Sequence, residues 1–134
     1  MAIQMSVARR TARATASETA IGTTPKVQIR TGAQPANCAA AASGTLLAEF
    51  TLASDWATQA SGVLTFSGVP LSATAVGTGT AGHYRINDSA GTTCHEQGTI
   101  TATGGGGDMT IDNTSIATGQ TVQITGWTQT EANA

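Results

Sequence analysis

Cys94, His95 and Glu96 are consecutive, and their types make them the chain's most obvious candidates for chemistry. A thiol beside an imidazole and a carboxyl can form an activated nucleophile or supply metal ligands. Successive residues of a strand point to opposite faces, however, so Cys94 and His95 are not expected to share a proton. Two exposed strand histidines are a simpler interpretation than a metal or acid-base site formed by His83, His95 and Glu96. We therefore predict no catalytic residue and no enzyme.

The remaining candidates for cofactor or metal chemistry are also better explained without a ligand. Asp108 and Asp112 follow a run of four glycines but lack the closely alternating oxygen ligands of calcium loops. The glycine run has no Lys-Ser or Lys-Thr after it and is not expected to open a helix, so it is not a phosphate loop. Cys38 and Cys94 have no CxxC spacing, which argues against zinc. We predict no metal and no cofactor, and we favour reduced, partly buried thiols over a disulfide between these cysteines.

A basic segment opens the chain. Residues 1–24 carry a net charge of +2, whereas the rest of the chain carries −4. Three arginines are few for nucleic-acid binding, so docking of this arm onto a protein is the favoured functional hypothesis, and a solvated helix face is the alternative. Trp127 is a further candidate contact, either facing outward or entering the core if a bulge at Gly126 changes the register. The predicted partner-binding residues are Val7, Arg9, Arg10, Arg13 and Trp127.

The composition favours a folded chain with a surface that is poor in charge. Thr, Ala and Gly supply 25, 24 and 16 of the 134 residues, and charged residues make up only 10%. The apolar fraction of 40% with a net charge of −2 argues against disorder. No apolar run has the length of a membrane span, and the first residues lack the apolar core of a signal peptide; a transit peptide is the less favoured alternative. So little charge suggests that other subunits cover part of the surface.

Two kinds of periodicity divide the chain. Residues 4–20 are good helix formers followed by Gly22 at the position of a C-terminal cap, and this pattern predicts a helix that needs packing for stability. From Lys26 the apolar residues alternate with polar ones, and short strands are separated by turns. We predict a helical arm over residues 1–24 and a single β-rich domain over residues 25–134. The fold class is all-β, a sandwich or barrel of about six to eight short antiparallel strands.

Four segments of the chain resemble a group of small tailed-phage and prophage virion structural proteins: KVQIRTGAQPANC, GTLLAEFTLA, GTAGHYRINDSAGTTC and GGGGDMTIDNTSIATGQTVQITGWTQTEANA. The resemblance implies a virion component without catalytic residues. The expected role is a capsid decoration or cement protein, a homotrimer that binds the major capsid protein. It would be assembled in the host cytoplasm and sit on the capsid surface, without a membrane. A tail or neck ring component, or a host- or carbohydrate-binding module, is the alternative.

Overall fold

A computed structural model describes residues 3–131 of the chain. Within this range the chain forms one helix and ten strands. Their bounds are α1 Val7–Ile21, β1 Lys26–Thr31, β2 Leu46–Thr51, β3 Ala57–Ala60, β4 Val63–Phe66, β5 Leu71–Thr74, β6 Gly79–Asn87, β7 Cys94–Ala102, β8 Met109–Ile111, β9 Ser115–Ile116 and β10 Thr121–Thr130. The expected class, a β-rich protein with one short helix, is confirmed.

The helix begins three residues later than its composition suggests because Ser6 caps it. The Ser6 hydroxyl accepts a hydrogen bond from the backbone N–H of Arg9, which satisfies one of the free donors of the first turn. Gly22 ends the helix with a positive φ of 89°, and its N–H donates to the carbonyl of Glu18. Ala14 and Ile21 form its buried face, which packs against β3 and β4.

The strands form one continuous sheet in the order β2-β1-β6-β7-β8-β10-β4-β3, with β5 paired to β10 and β9 paired to β6. The expectation of purely antiparallel strands is wrong, because β7 and β8 run parallel. A parallel neighbour normally requires a long crossover. Here the glycine run folds back along β7 instead, and the N–H of Gly107 donates to the Thr101 hydroxyl. A Cβ at Gly107 would lie only 2.9 Å from the Thr101 nitrogen, so this close return needs glycine.

The sheet curls into a half-barrel around the core. After β5, the N–H of Val76 donates to the carbonyl of Leu47, which places this part of the sheet beside β2. A register shift between Ile124 and Gly126 changes the face that β10 presents. Trp127 therefore enters the core, where its ring lies 4.4 Å from that of Phe66 and 6.1 Å from that of Trp56.

The helix is fixed to the β-sheet by specific contacts as well as by its apolar face. The indole N–H of Trp56 donates to the carbonyl of Gly22 over 2.9 Å. Arg13 pairs with Glu131 at 3.2 Å, and the N–H of Gly62 donates to the Thr11 hydroxyl. The division of the chain at residue 24 stays a prediction, but α1 is packed on the β-rich part.

Candidate functional site

The consecutive Cys94, His95 and Glu96 do not form a catalytic group. Cys94 is bonded to Cys38, His95 is exposed, and the carboxyl of Glu96 lies among core side chains on the inner face of the sheet. Among residues 3–131, no group of three or more His, Cys, Asp and Glu residues is placed to hold a metal ion. Cys94 and Glu96 are two residues apart but lie on opposite faces of the sheet, because the register between β6 and β7 shifts between Ile86 and Asn87.

The two cysteines form a disulfide, so the expectation of reduced thiols is wrong. Their Cα atoms lie 5.2 Å apart, because Cys94 starts β7 beside Asn87 of β6 and the loop after β1 carries Cys38 to the same place. We name residues 32–45, between β1 and β2, the covering loop. The disulfide joins this loop to the sheet.

His83 is buried and not exposed, which corrects the interpretation made from the sequence. Its Nδ1 lies 2.9 Å from the carbonyl oxygen of Gly32 in the covering loop. His95 remains at the surface, as expected. The two imidazoles thus occupy different environments. His83 is hydrogen-bonded to the covering loop, whereas the Glu96 carboxyl is hydrogen-bonded to Tyr84.

Glu96 belongs to a hydrogen-bonded cluster inside the sheet. The Tyr84 hydroxyl donates to Glu96 Oε1 over 2.7 Å, and the Trp127 indole N–H lies 2.9 Å from the Tyr84 oxygen and 3.2 Å from Glu96 Oε1. Burial raises the pKa of Glu96, against the opposing effect of these hydrogen bonds. Burial, followed by the Glu96 charge, also raises the pKa of Tyr84. The cluster provides hydrogen-bond partners for three polar groups inside the core.

Trp127 takes the second of the two orientations left open by the sequence. It is only 2% exposed, so its ring is not on the surface of the described chain. Of the predicted partner-binding residues, Trp127 is therefore the one that belongs to the hydrophobic core. The aromatic residues that a carbohydrate-binding surface would require to be exposed, Trp56, Tyr84 and Trp127, are all buried.

The three arginines of the arm have different environments. Arg13 is engaged by Glu131, and the Arg10 side chain lies over the turn at Gly62, where a Cβ would approach the Arg10 Cβ to 2.7 Å. Arg9 is exposed. Val7, two residues before Arg9, is 52% exposed, and Ile3, which precedes α1, is 71% exposed. The N-terminal end of the arm thus exposes two apolar side chains and one basic side chain. The arm therefore combines an anchored second half with a first turn that faces solvent.

A second site lies on the outside of the sheet, beneath the covering loop. Period-two alternation brings polar side chains of β1, β6 and β7 to this face, because Gln28 pairs with Arg85, Arg30 pairs with His83, and Arg85 pairs with Gln97. We name this set the outer polar face: Lys26, Gln28, Arg30, His83, Arg85, Asn87 and Gln97.

The covering loop is held on this face by its backbone carbonyls. Arg85 donates from its two terminal nitrogens to the carbonyls of Cys38 and Ala40 at 2.8 to 3.1 Å. The Gln97 amide donates to the carbonyl of Pro35 over 2.6 Å. These hydrogen bonds and the disulfide hold the covering loop against the sheet. The loop therefore buries polar side chains, such as those of His83 and Arg85, that would otherwise lie on a solvent-exposed face of the sheet.

Between the loop and the sheet lies a cavity of about 270 Å³. Its lining includes Gln28, Arg30, Arg85, Asn87 and the alanines at 39–42. Arg30 and Arg85 are close enough to repel each other: burial lowers the pKa of Arg30, the charge of Arg85 lowers it further, and the charge of Glu49 opposes both effects. The cavity is thus cationic and polar, with a small apolar wall from the loop.

The sequence contained a signal for this site. Lys26, Gln28 and Arg30 alternate with apolar residues on β1, and His83 and Arg85 do so on β6. Alternation identifies the face but not what covers it.

No helix in the described part of the chain is long and apolar enough to cross a membrane. Comparison of the chain with protein-family models, with curated proteins and with solved structures gives no match.

Proposed function

We propose that the chain is a virion structural protein that decorates a phage capsid and stabilises the shell of major capsid protein. The observation that carries the proposal is the N-terminal end of the arm. Val7 lies on the same helix stripe as the buried Ala14 and Ile21 but is exposed, Ile3 is exposed just before α1, and Arg9 is exposed in the first turn. An apolar and basic surface of this kind fits a protein partner better than a nucleic acid, which normally meets a larger basic surface.

The exposed residues are held in place by the contacts of Ala14, Ile21 and Arg13 with the sheet. A rigid support lowers the conformational entropy lost on docking. A homotrimer would present three such turns at once, and many modest contacts of this kind give firm attachment. Low surface charge also favours close packing of many copies on a shell.

The disulfide supports a place on the outside of a particle. Disulfides persist in oxidising settings, including virion surfaces, and are rare in the reducing cytoplasm. A subunit assembled in the host cytoplasm would then form the Cys38–Cys94 bond after release of the particle.

A host- or carbohydrate-binding role has less support. It requires exposed aromatic rings, and the three candidate rings lie in the core. A tail or neck ring remains the alternative, and the location of the protein on the particle distinguishes it from decoration.

Particles produced with and without this protein test the proposal. We expect particles that lack it to release their DNA at lower temperature and after milder osmotic shock. Equal resistance of the two preparations would contradict the cement role.

A surface substitution is a sharper test than deletion of residues 1–24, because deletion removes Ala14 and Ile21 from the core. Val7→Ser removes an exposed apolar contact at little cost to helix propensity. Val76→Ser is the matched control, since Val76 is 62% exposed and lies elsewhere. We expect only Val7→Ser to weaken attachment to shells, while both variants keep the melting temperature of the parent.

A further inference from the structure

The outer polar face contains most of the unsatisfied buried polar atoms found within residues 3–131. Among residues 3–131, five buried side-chain nitrogen or oxygen atoms lack a hydrogen-bond partner. Four of them belong to the outer polar face: His83 Nε2, Arg85 Nε, Asn87 Oδ1 and Gln97 Oε1. A buried polar group without a partner costs roughly 1–3 kcal/mol, so several such groups in one place indicate a partner from outside the described chain, either water or a ligand. Arg85 and Asn87 both line the cavity and are 4% and 5% exposed.

The charge of the cavity identifies the kind of ligand. The ion pairs of the described chain are Arg13–Glu131 and Lys26–Glu49, so neither Arg30 nor Arg85 has an acidic partner there. Arg85 is only 4% exposed, and a buried charge without a counter-ion is strongly unfavourable, whereas Arg30 is partly exposed. Both arginines line the cavity, whose described lining contains no Asp or Glu. An anion would neutralise them.

The nearest carboxylate does not fill this role. Glu49 lies at the edge of the outer polar face, where Lys26 Nζ is 3.6 Å from Oε1 and Gln28 Nε2 donates to Oε2 over 2.9 Å. Both of its oxygens are therefore already used by other groups. The Glu49 charge acts on Arg30, whereas Arg85 has no acidic partner among the described residues.

Asn87 adds a requirement for a donor. Its Nδ2 donates to the carbonyl of Gly91, which fixes the amide so that Oδ1 is left as a free acceptor. A ligand that suits the cavity therefore has anionic oxygens for the arginines and one hydroxyl for Asn87. Hydrogen phosphate has both, whereas sulfate has no proton to donate. The cavity volume of about 270 Å³ far exceeds the roughly 15 Å³ that one water needs, so a tetrahedral oxyanion fits.

We propose that the cavity beneath the covering loop is a binding site for inorganic phosphate in its protonated form. Arg85 and Arg30 neutralise the anion, and the phosphate hydroxyl donates to Asn87 Oδ1. The covering loop and its disulfide keep the site formed in the absence of the ligand. The site is independent of the docking role of α1.

Isothermal titration of the full oxidised chain with sodium phosphate at about pH 7 tests the proposal, with sodium sulfate and a phosphate monoester at the same ionic strength as comparisons. We expect one phosphate per chain with a Kd below about 1 mM, and binding of sulfate at least about tenfold weaker. The monoester, whose second pKa is about 6, has mostly lost its proton and is expected to bind weakly as well. Equal affinity for phosphate and sulfate, or no phosphate binding, would overturn the proposal.

Two substitutions locate the site. Arg30→Gln is expected to weaken phosphate binding by at least about tenfold, whereas Lys26→Gln, which removes an equal charge from the same strand outside the cavity lining, is expected to change it less than about threefold. Asn87→Ala is expected to abolish the preference for phosphate over sulfate. A thermal melt confirms that each variant is folded. Phosphate binding that is unchanged in folded Arg30→Gln would place the anion elsewhere and refute the assignment.

Discussion

Removal of the Cys38–Cys94 disulfide has an effect on stability that follows from the length of chain it closes. The two cysteines are 56 positions apart, and cross-linking restricts the unfolded chain in proportion to the logarithm of that length. For a closed loop of this size the chain-entropy relation gives about 14 cal/mol/K, or about 4 kcal/mol at 25 °C. We expect Cys38→Ser/Cys94→Ser to lower the free energy of unfolding by about this amount.

Urea unfolding measures the effect directly. Oxidised parent, reduced parent and the double serine variant are compared by tryptophan fluorescence, which reports on the buried Trp56 and Trp127. We expect the reduced parent and the variant to have the same midpoint, below that of the oxidised parent. Reductant should not affect the variant, which is the control. A loss smaller than about 1 kcal/mol in both would refute the argument from loop length.

Three further substitutions test the packing of the helix and the inner cluster. Ala14→Leu inserts a larger side chain between α1 and β3–β4 and is expected to cost about 1–3 kcal/mol in urea unfolding, while Ala16→Leu on the exposed face serves as its control. Trp127→Phe removes the N–H that reaches Tyr84 and is expected to cost about 1–3 kcal/mol. Glu96→Gln is expected to flatten the pH dependence of stability. Because the pKa of Glu96 is raised in the folded state, its stabilising contribution is complete below the ordinary value of 4.5 and is lost as the pH rises through the raised pKa.

Equal costs for Ala14→Leu and Ala16→Leu would mean that α1 is not packed as described. A Trp127→Phe variant as stable as the parent would show that the indole hydrogen bonds contribute nothing. If Glu96→Gln keeps the pH profile of the parent between about pH 4 and pH 8, another group is responsible for it.

The helix and most strands could be predicted because their signals are local. Gly22 marks the end of α1, and the alternation around Val27 and Ile29 identifies β1. The parallel pairing of β7 and β8 could not be predicted, because it depends on glycines that pack back against Thr101. That contact is tertiary and leaves no periodic pattern in the sequence.

The candidate sites were predictable to different degrees. Helical spacing places Val7 on the same stripe as Ala14 and Ile21, so its exposure could not be predicted from the sequence. The ion pair of Arg13 with Glu131 could not be predicted either, because it joins residues at opposite ends of the chain. The cationic cavity could not be predicted from alternation, because it forms only when residues 32–45 lie across β1 and β6 and Cys38 bonds to Cys94. The sequence shows the alternation of polar and apolar residues on β1 and β6 but not the burial of the polar ones.

The copy number and position of the protein on the particle test the decoration role most directly. A cryo-electron microscopy map of the parent particle gives both. We predict on the order of hundreds of copies on the outside of the head, in threefold groups, with the first turn of α1 against the major capsid protein. About six or twelve copies in a ring at the neck or tail, or no copies on the head, would contradict this account.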